Sequence, residues 1–575
     1  MINLVFQRAR QVLADPVLRR WLVLKALGRV ATPPAFVAHQ PPYLSSALLE
    51  NVCHANISLP VALFAAQLPD HPITMDLAGA RQEVTPEAAA RFFDDVHDDL
   101  ETTLSIHRFA WLQTAEPSAA APWVVFLWEA WYKRYIESVA GWPWHPYTAA
   151  ERAINLIDFC RAHGGVDQLH NFPQAMALHT KAIAAQLEYF GEHNTSNHLA
   201  NNGRGLYRIG LELGDEKVVS LGCEILLAEA ERILAPSGIL NEGSSHYHLL
   251  YTQRYIDVWL HAARYKRSER TRFADIAQRM LAVAAHLAVN GRFPLIGDIS
   301  PDCTPQYLEG LWQGLDEPPG WVGRLSKEEW QDLKALRASA SSVDFDQLRR
   351  DGWLRHQHGR WTGLWHCSPK GWSAMPGHGH QDIGSFELDF DGVPLIVDPG
   401  RDRYGDTDVR QKYVKASAHS GLVLNSASPY PPNKPYYDDA FRESVCGPSP
   451  EMSVDSDMVS LHHTGYSRFS NIGGVSRTWS FRDAALTIND QVEGYGQVQL
   501  TRALQTVLQP RETPHGIELT SDHHRFRIRW LGNQNLNIEP QDLWVAYGER
   551  MPGWRIELRN EVAIPHQAQI VIEAL

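Results

Sequence analysis

The chain has few cysteines and no long hydrophobic run, and these two shortages exclude several classes of protein. Six cysteines are scattered through 575 residues without a Cys-x-x-Cys pair, which fits neither a disulfide framework nor a cysteine-zinc site. No apolar stretch approaches the roughly 20 residues that a membrane-spanning helix needs. We therefore expect reduced, buried cysteines and no integral membrane segment.

An excess of positive charge is also missing. The formal net charge is −13, which argues against a nucleic-acid partner, because nucleic-acid surfaces are met by clusters of lysine and arginine. An acidic ligand would have to be bound by a local group of donors. Residues 1–30 mix arginine and aspartate into the apolar positions and contain no small-residue cleavage site. This pattern favours a cytoplasmic location over a periplasmic or exported one, and it predicts a packed first helix rather than peripheral contact with a membrane.

The first half of the chain has the periodicity of successive helices. Between Pro86 and Leu336, apolar residues recur at helical spacing, and Gly- and Pro-rich breakers separate the segments. The pattern predicts helices over residues 86–109, 124–140, 149–161, 173–190, 196–213, 216–234, 245–265, 270–290 and 327–336. Helical hairpins without intervening strands close into a bundle or an α/α toroid, in which loops at one end form a cleft. We predict an incomplete α/α toroid of helical hairpins over residues 1–340.

The second half changes to a period of two. After a small, polar tract at residues 338–346, short alternating segments bounded by Gly, Asn, Asp and Pro continue to the end of the chain. We predict an antiparallel β-sandwich over residues 345–575. The expected fold class is therefore a multidomain α+β protein, helical first and β second.

The most informative stretch is PGHGHQDIGSFELDFDGVPLIVDPG, at residues 376–400. Alternating apolar residues flank Asp391-Gly392, a two-residue turn signal, and so predict a β-hairpin. A simple count from this turn places Asp398 opposite Ser385. A loop that folds back from the start of the first strand would then bring His380 close to Asp398.

Another histidine, His419, begins a further apolar strand. His380, Asp398 and His419 could form a three-ligand site for one divalent metal, with zinc the best match for two imidazoles and a carboxylate. The alternative is a set of polar loop residues that hydrogen-bond to one another. Spacing alone leaves both interpretations open.

The segment SNHLANNGRGLYRIGLEL, at residues 196–213, is too polar at its start for a buried strut. Asn197, Asn201, Arg204 and Arg208 fall on one helical face. An amide and arginines on that face can donate hydrogen bonds to a carboxylate. The alternative is a capped helix start with solvated arginines.

A second cluster, NEGSSHYH, lies at residues 241–248. Tyr247 stands between His246 and His248, where a phenol can act as general acid or base, although packing at a helix start would explain it equally. Glu242, Asp298 and Asp302 leave a paired-carboxylate hydrolase open. Trp142 and Trp144 can be core residues or platforms on which a sugar stacks.

These motifs resemble the heparinase II/III-like polysaccharide lyases, from about Trp142 to the end of the chain. The resemblance rests on Asn197-His198, on Tyr247-His248 and on the hairpin stretch with His419. It implies β-elimination at a uronic acid, in which the carboxylate is neutralised, the C5 proton is removed and the 4-linked oxygen leaves. The implied substrate is a glycosaminoglycan-like chain such as heparosan or heparan sulfate, or an alginate-like polyuronate.

The resemblance also implies residue roles. Asn197 resembles the neutralising amide, Tyr247 the acid and base, and His378 the histidine that assists from the β-domain, while His198 matches a second basic residue of alginate-cleaving relatives. His380, Asp398 and His419 resemble a structural metal set. We expect four further residues to contact the substrate: Asn201, Arg204, Glu242 and His246. A hydrolase on the same scaffold and a non-catalytic protein that binds acidic glycans are the alternatives.

Overall fold

A computed structural model of the protein describes residues 9, 12–13, 15–30, 37–54, 57, 66–164, 169–313, 318–340, 342–405, 407–532 and 534–575. Most of the helices precede most of the strands. The helices are α1 (Pro16–Ala26), α2 (Ser46–Cys53), α3 (Pro86–Ala89), α4 (Leu100–His107), α5 (Pro117–Tyr135), α6 (Pro146–His163), α7 (Phe172–Ala185), α8 (His198–Leu213), α9 (Glu216–Ile233), α10 (Ser245–Arg264), α11 (Arg270–Leu287), α12 (Lys327–Ala338), α13 (Phe345–Arg350), α14 (Asp408–Gln411) and α15 (Asp439–Cys446).

All of the paired strands are antiparallel. They are β1 (Ile73–Leu77), β2 (Ala80–Val84), β3 (Trp353–His358), β4 (Trp361–His366), β5 (Phe386–Phe390), β6 (Val393–Ile396), β7 (Leu422–Leu424), β8 (Glu451–Val454), β9 (Met458–His463), β10 (Ile472–Arg482), β11 (Ala485–Thr506), β12 (Pro510–Thr513), β13 (Gly516–Thr520), β14 (Arg525–Trp530), β15 (Asn535–Ala546) and β16 (Glu549–Ala574). Strands β1 and β2 form a hairpin, and β3-β4-β5-β6 form a four-stranded sheet. A ten-stranded sheet has the order β12-β13-β14-β16-β11-β10-β9-β8, with β15 on β16 and β7 on β11.

The helix ends follow local signals in the sequence. The Asp215 carboxylate accepts hydrogen bonds from the first backbone N–H groups of α9, and the preceding helix α8 ends at Gly214, which has a left-handed φ of +67°. Ser244 caps α10 in the same way. Consecutive helices pack against each other, α8 on α9 and α10 on α11. The helical first half that the sequence predicts is confirmed.

The predicted helix over residues 86–109 is wrong in its middle. The structure has two short helices there, α3 and α4, because the Asp99 carboxylate caps a new helix by accepting from the Glu101 N–H. The β1–β2 hairpin just before them was not predicted. Its turn residue Ala78 packs with Ile299 and Tyr547, so the hairpin touches both halves of the protein.

The two larger sheets enclose an aromatic core, as expected of a β-sandwich. Trp365 of the four-stranded sheet packs edge-on against Trp479 of the ten-stranded sheet, with ring centroids 5.7 Å apart. Both indoles are buried. The first helix joins this core, since Trp21 of α1 lies 4.4 Å from the ring of Tyr436. The predicted sandwich is confirmed, and the first helix is packed.

The hairpin of β5 and β6 turns at the predicted dipeptide. Asp391 and Gly392 both have positive φ, +52° and +80°, the combination that a tight two-residue hairpin turn requires. A bulge between Leu388 and Asp389 then shifts the register by one residue. The simple count that places Asp398 opposite Ser385 therefore does not hold.

Candidate active site

Two segments from different halves of the protein meet at glycines. Gly243, just before α10, has φ +73°, and a Cβ there would lie 2.9 Å from the Cα of Gly379. Gly297 has φ +79°, and a Cβ there would lie 2.5 Å from the Gly243 carbonyl oxygen and 2.8 Å from that of His378. Only glycine permits this approach. The glycines therefore place the loop that carries His378 directly on the start of α10.

His378 is fixed to the helical half by its backbone and its side chain. Its N–H donates to the Glu242 carbonyl at 2.7 Å, and its own carbonyl accepts from the Asp298 N–H at 2.9 Å. Its Nδ1 lies 3.1 Å from Asp298 Oδ2, and its Nε2 lies 3.7 Å from Glu242 Oε2. The imidazole stacks on the ring of Tyr247, with centroids 3.5 Å apart and planes 9° apart.

Tyr247 lies in the first turn of α10. Its N–H donates to the capping Ser244 hydroxyl at 3.1 Å, and its phenol hydroxyl is 2.6 Å from the hydroxyl of Tyr404. Burial raises the pKa of Tyr247 well above its ordinary value. The phenol is therefore protonated in the resting site and can donate a proton.

Asn197, directly before α8, is held by two side chains, those of Glu242 and Tyr251. Its backbone N–H and its side-chain amide donate to the two oxygens of Glu242, the former at 2.9 Å. Its side-chain oxygen and its carbonyl both accept from the Tyr251 hydroxyl at 2.7 Å. Glu242 thereby joins Asn197 to His378, so the structure brings Asn197, Tyr247 and His378 into one cluster.

Asp298 connects this cluster to the candidate metal ligands. Its carboxylate lies 3.1 Å from His378 Nδ1, 2.9 Å from His380 Nε2 and 2.8 Å from Arg401 Nη1. Burial alone would raise the pKa of Asp298, but the hydrogen bonds of the two histidines and the charge of Arg401 outweigh it and lower the pKa. Asp298 is therefore a carboxylate that stays ionised.

His380, Asp398 and His419 form a buried group that could hold a metal ion. One ligand atom of each lies within 4.8 Å of the others. His419 Nδ1 is 2.7 Å from Asp398 Oδ2, while His380 Nδ1 and His419 Nε2 are buried with no hydrogen-bond partner among the described residues. Two unpaired imidazole nitrogens beside a carboxylate suit a divalent cation such as zinc. A hydrogen bond accounts for only one of the three pairs in the group, that of His419 and Asp398.

His198, which follows Asn197, points to another carboxylate. Its Nδ1 is 2.8 Å from Glu188 Oε1, and its side chain is 43% exposed. Burial would lower the pKa of His198, but the charge and hydrogen bond of Glu188 outweigh it and raise the pKa. His198 therefore lies at the solvent-facing side of Asn197.

The other predicted substrate contacts are committed to the protein interior. Arg204 Nη1 donates to Glu151 at 3.0 Å, and its Nε donates to Asp257 at 3.0 Å, inside the helical half. Asn201 is fully buried. His246 is also fully buried and accepts from the Ser300 N–H at 2.9 Å. Of the four residues expected to contact substrate, Glu242 is the one that the structure joins to Asn197 and His378.

Three residues of the site were not predicted from the sequence. Tyr404 and Arg401 follow the Pro-Gly turn after Asp398 and contact Tyr247 and Asp298. The sequence signal for these two residues is RDRY at residues 401–404, a cluster of charged and aromatic residues shortly after the candidate metal ligand Asp398. Glu188, the partner of His198, lies in a loop and carries no comparable signal.

Comparison with known proteins agrees with this architecture. The helical half and the sandwich both have counterparts in a crystal structure of heparinase III, with a TM-score of 0.62, 14% sequence identity and coverage of 97% of this chain and 92% of that one. A mutant of heparan sulfate lyase HepC from Pedobacter heparinus gives a TM-score of 0.57 at 14% identity, with 97% and 91% coverage. At such low identity these likenesses show the shared fold. No curated protein sequence matches the chain.

The family comparison concerns the second half of the chain. Residues 341–569 match the model described as "Heparinase II/III-like, C-terminal". These residues include the hairpin, the candidate metal ligands and His378. The resemblance that the sequence motifs indicate is confirmed, and the match to the family model covers this second half of the chain.

Proposed function

We propose that the protein is a polysaccharide lyase that cleaves a uronic-acid-containing acidic glycan by β-elimination. The observation that carries the proposal is the convergence of an amide, a phenol and an imidazole from three distant parts of the chain: Asn197, Tyr247 and His378. Glu242 contacts both Asn197 and His378, and the ring of His378 stacks on that of Tyr247. A glycosaminoglycan-like chain is the first candidate substrate, and an alginate-like polyuronate the second.

The roles follow from what each group can do. The amide of Asn197 donates to the uronate carboxylate, which lets negative charge develop at C5 as the proton leaves. Tyr247, which its raised pKa keeps protonated in the resting site, gives its hydroxyl proton to the departing 4-linked oxygen as the bond between C4 and that oxygen breaks. The C5 proton passes to Nε2 of His378, whose Nδ1 faces the Asp298 carboxylate. His378, stacked on that phenol, keeps the ring in place and offers a second polar group to the sugar.

The buried group of His380, Asp398 and His419 would hold one divalent metal ion, with zinc the best match for the donor set. Such an ion supplies a fixed positive charge that ties the ends of three chain segments together. Its role in this proposal is structural, because Asp298 lies between His380 and His378. The chain's own residues position His378 through that carboxylate.

A hydrolase would need a second carboxyl group as a proton donor, and Glu242 with Asp298 is the pair that the sequence offers. Asp298 is ill suited to donate a proton, because its lowered pKa keeps it ionised and its oxygens accept from His378, His380 and Arg401. The site therefore favours elimination over hydrolysis.

The test is to incubate the full-length protein with heparosan, heparan sulfate and alginate and to record near-ultraviolet absorbance, where an unsaturated uronate absorbs. We expect absorbance to rise with at least one of these glycans. Tyr247→Phe should lower the rate by about 10²- to 10⁴-fold, the usual contribution of a general acid or base. Absorbance that rises equally in the Phe variant would contradict the role of Tyr247, and reducing ends without absorbance would favour the hydrolase.

A further inference from the structure

Trp142 is unlike the other tryptophans of the chain. The sequence has 19 tryptophans, and within the described structure Trp142 alone has an exposed side chain, at 49%. Its near neighbour Trp144 is buried, and the Trp144 indole N–H donates to the Tyr135 carbonyl at 2.7 Å. The two tryptophans of this tripeptide therefore have different roles, and only Trp144 is a core residue.

The backbone that carries Trp142 is held at both ends. Gly141 precedes it with φ +71°, and Pro143 follows it in a single 3-10 turn. The Pro143 carbonyl accepts from Arg152 Nη1 at 2.7 Å, and Arg152 is itself buried. An exposed indole on an anchored turn is a preorganised apolar surface, because little conformational entropy remains to be lost on binding.

A row of rings leads from Trp142 to the candidate active site. The Trp142 ring lies 5.6 Å from the His145 ring, and the His145 ring lies 6.4 Å from that of His198. His198 is the chain neighbour of Asn197. We call the set of Trp142, His145 and His198 the aromatic ledge. It extends the cluster around Asn197 towards solvent in one direction.

The two imidazoles of the ledge share one carboxylate. Glu188 Oε1 lies 2.8 Å from His198 Nδ1 and 3.5 Å from His145 Nε2, and Asn202 donates to the other oxygen of Glu188 at 3.0 Å. Glu188 is buried beneath the ledge. Because Glu188 binds Nδ1 of His198, the opposite ring nitrogen faces away from it. Glu188 outweighs burial and raises the pKa of His198, so the outer nitrogen of its protonated ring carries an N–H, whereas burial lowers the pKa of His145. The ledge therefore combines an apolar face with the N–H donor of His198, which suits a sugar ring that carries an acidic substituent.

We propose that the aromatic ledge is a subsite for the sugar next to the cleaved uronate. Trp142 stacks on the apolar face of that sugar, and His198 donates to its anionic substituent, a carboxylate or a sulfate, while the ring of His145 lies between them. The inference rests on the proposed function for the position of the cleaved sugar. It adds a second, independent recognition element at the solvent-facing end of the cleft.

The experiment measures binding of size-defined heparosan, heparan sulfate and alginate oligosaccharides to the full-length Tyr247→Phe variant, with and without Trp142→Ala or Trp142→Phe. We expect Trp142→Ala to weaken binding by about tenfold and Trp142→Phe by less, as expected for loss or shrinkage of one stacking surface. Because Trp142 is the exposed indole, ligand should change the tryptophan fluorescence of the parent, and Trp142→Phe should remove that change. Trp330→Phe, which alters a half-buried indole on α12, is the control and should leave the signal intact.

A substitution of His198 distinguishes a sulfate from a carboxylate as the bound group. Weaker binding of His198→Gln to heparan sulfate alone would identify a sulfate, and equal weakening with unsulfated heparosan would identify a carboxylate. Unchanged affinity in Trp142→Ala with an unchanged fluorescence response would overturn the subsite, as would no binding of any of these glycans. If the wild-type enzyme forms unsaturated product and Trp142→Ala leaves glycan binding unchanged, the subsite is refuted and the lyase activity is not. Trp142-dependent binding without unsaturated product would support the subsite and refute the lyase activity.

Discussion

The ring of Tyr247 lies parallel to the imidazole of His378, with centroids 3.5 Å apart, although one residue belongs to a helix and the other to a loop of the β half. The contact depends on Gly243 and Gly297, where a Cβ would lie 2.9 Å or less from backbone atoms of the facing segment. The site is therefore assembled by the junction of the two halves.

Tyr404 is the residue that orients the Tyr247 hydroxyl. The Tyr404→Phe substitution removes the 2.6 Å contact between the two hydroxyls but retains the ring. We expect kcat to fall by about tenfold with little change in KM, less than in Tyr247→Phe, because a positioning group is lost while the Tyr247 hydroxyl remains. The Tyr404 hydroxyl also lowers the pKa of Tyr247 against the larger effect of burial. The pKa of Tyr247 should therefore be higher in the variant, and the alkaline limb of its pH–rate profile should move to higher pH. Wild-type kinetics together with an unmoved pH profile would contradict this role.

Asp298 should be essential for the stability of the junction between the helical half and the β half. In Asp298→Asn the charge of Arg401 loses its carboxylate partner, and one of the two histidines loses its acceptor oxygen, because the amide keeps a single oxygen. We expect the free energy of unfolding to fall by about 3–5 kcal/mol, as for other buried ion pairs that lose one partner. Asp402→Asn is a matched control in the same loop, since Asp402 is less buried and lies 3.8 Å from Arg403. Equal urea midpoints for the two variants would contradict the assignment.

The buried group beside Asp298 should bind one metal ion per chain. We expect elemental analysis of the purified protein to find about one equivalent, with zinc the first candidate, and His419→Ala to lose it. The variant should also unfold at a temperature lower by about 5 °C or more, because the ligand joins separate segments of the β half. Metal-free wild-type protein after mild chelator washing, with unchanged thermal stability, would refute the site.

The pair of His198 and Glu188 should make stability depend on pH. Glu188 raises the pKa of His198 against the effect of burial, so the protonated imidazole stabilises the folded state. This stabilisation is fully present below the unfolded pKa of about 6.5 and is lost as pH rises through the higher folded pKa. We expect the Tm advantage of the wild type over Glu188→Gln to shrink as pH rises through that range. A difference that is independent of pH would argue against a charged pair.

The features predictable from the sequence were those set by local chemistry. The Asp391-Gly392 turn needs two positive φ angles that this dipeptide adopts easily, and helices α8 to α11 begin and end close to their predicted bounds. The break between α3 and α4 was missed because a continuous helical pattern hid the Asp99 cap. The register shift in the hairpin of β5 and β6 likewise depends on packing around the hairpin, and the alternating pattern gives no sign of it.

The candidate site likewise combines features that local sequence predicts with features that only tertiary packing determines. Histidines, an asparagine and a tyrosine in glycine-rich motifs pointed to chemistry, and the structure gathers Asn197, Tyr247 and His378 together. Helical periodicity also put Arg204 on the face of Asn197, but it could not reveal that Glu151 and Asp257 from other helices occupy its guanidinium. Which side chains pair across elements is set by tertiary packing, and the pattern of one helix does not contain that information.

The most direct test of the account is to let the protein act on its glycan in water labelled with a heavy oxygen isotope and to weigh the products. Elimination breaks the bond between C4 and its oxygen without adding water. The account predicts unlabelled products that carry an unsaturated uronate at the new end. Products that gain one labelled oxygen at each cleavage and lack the unsaturated sugar would contradict it.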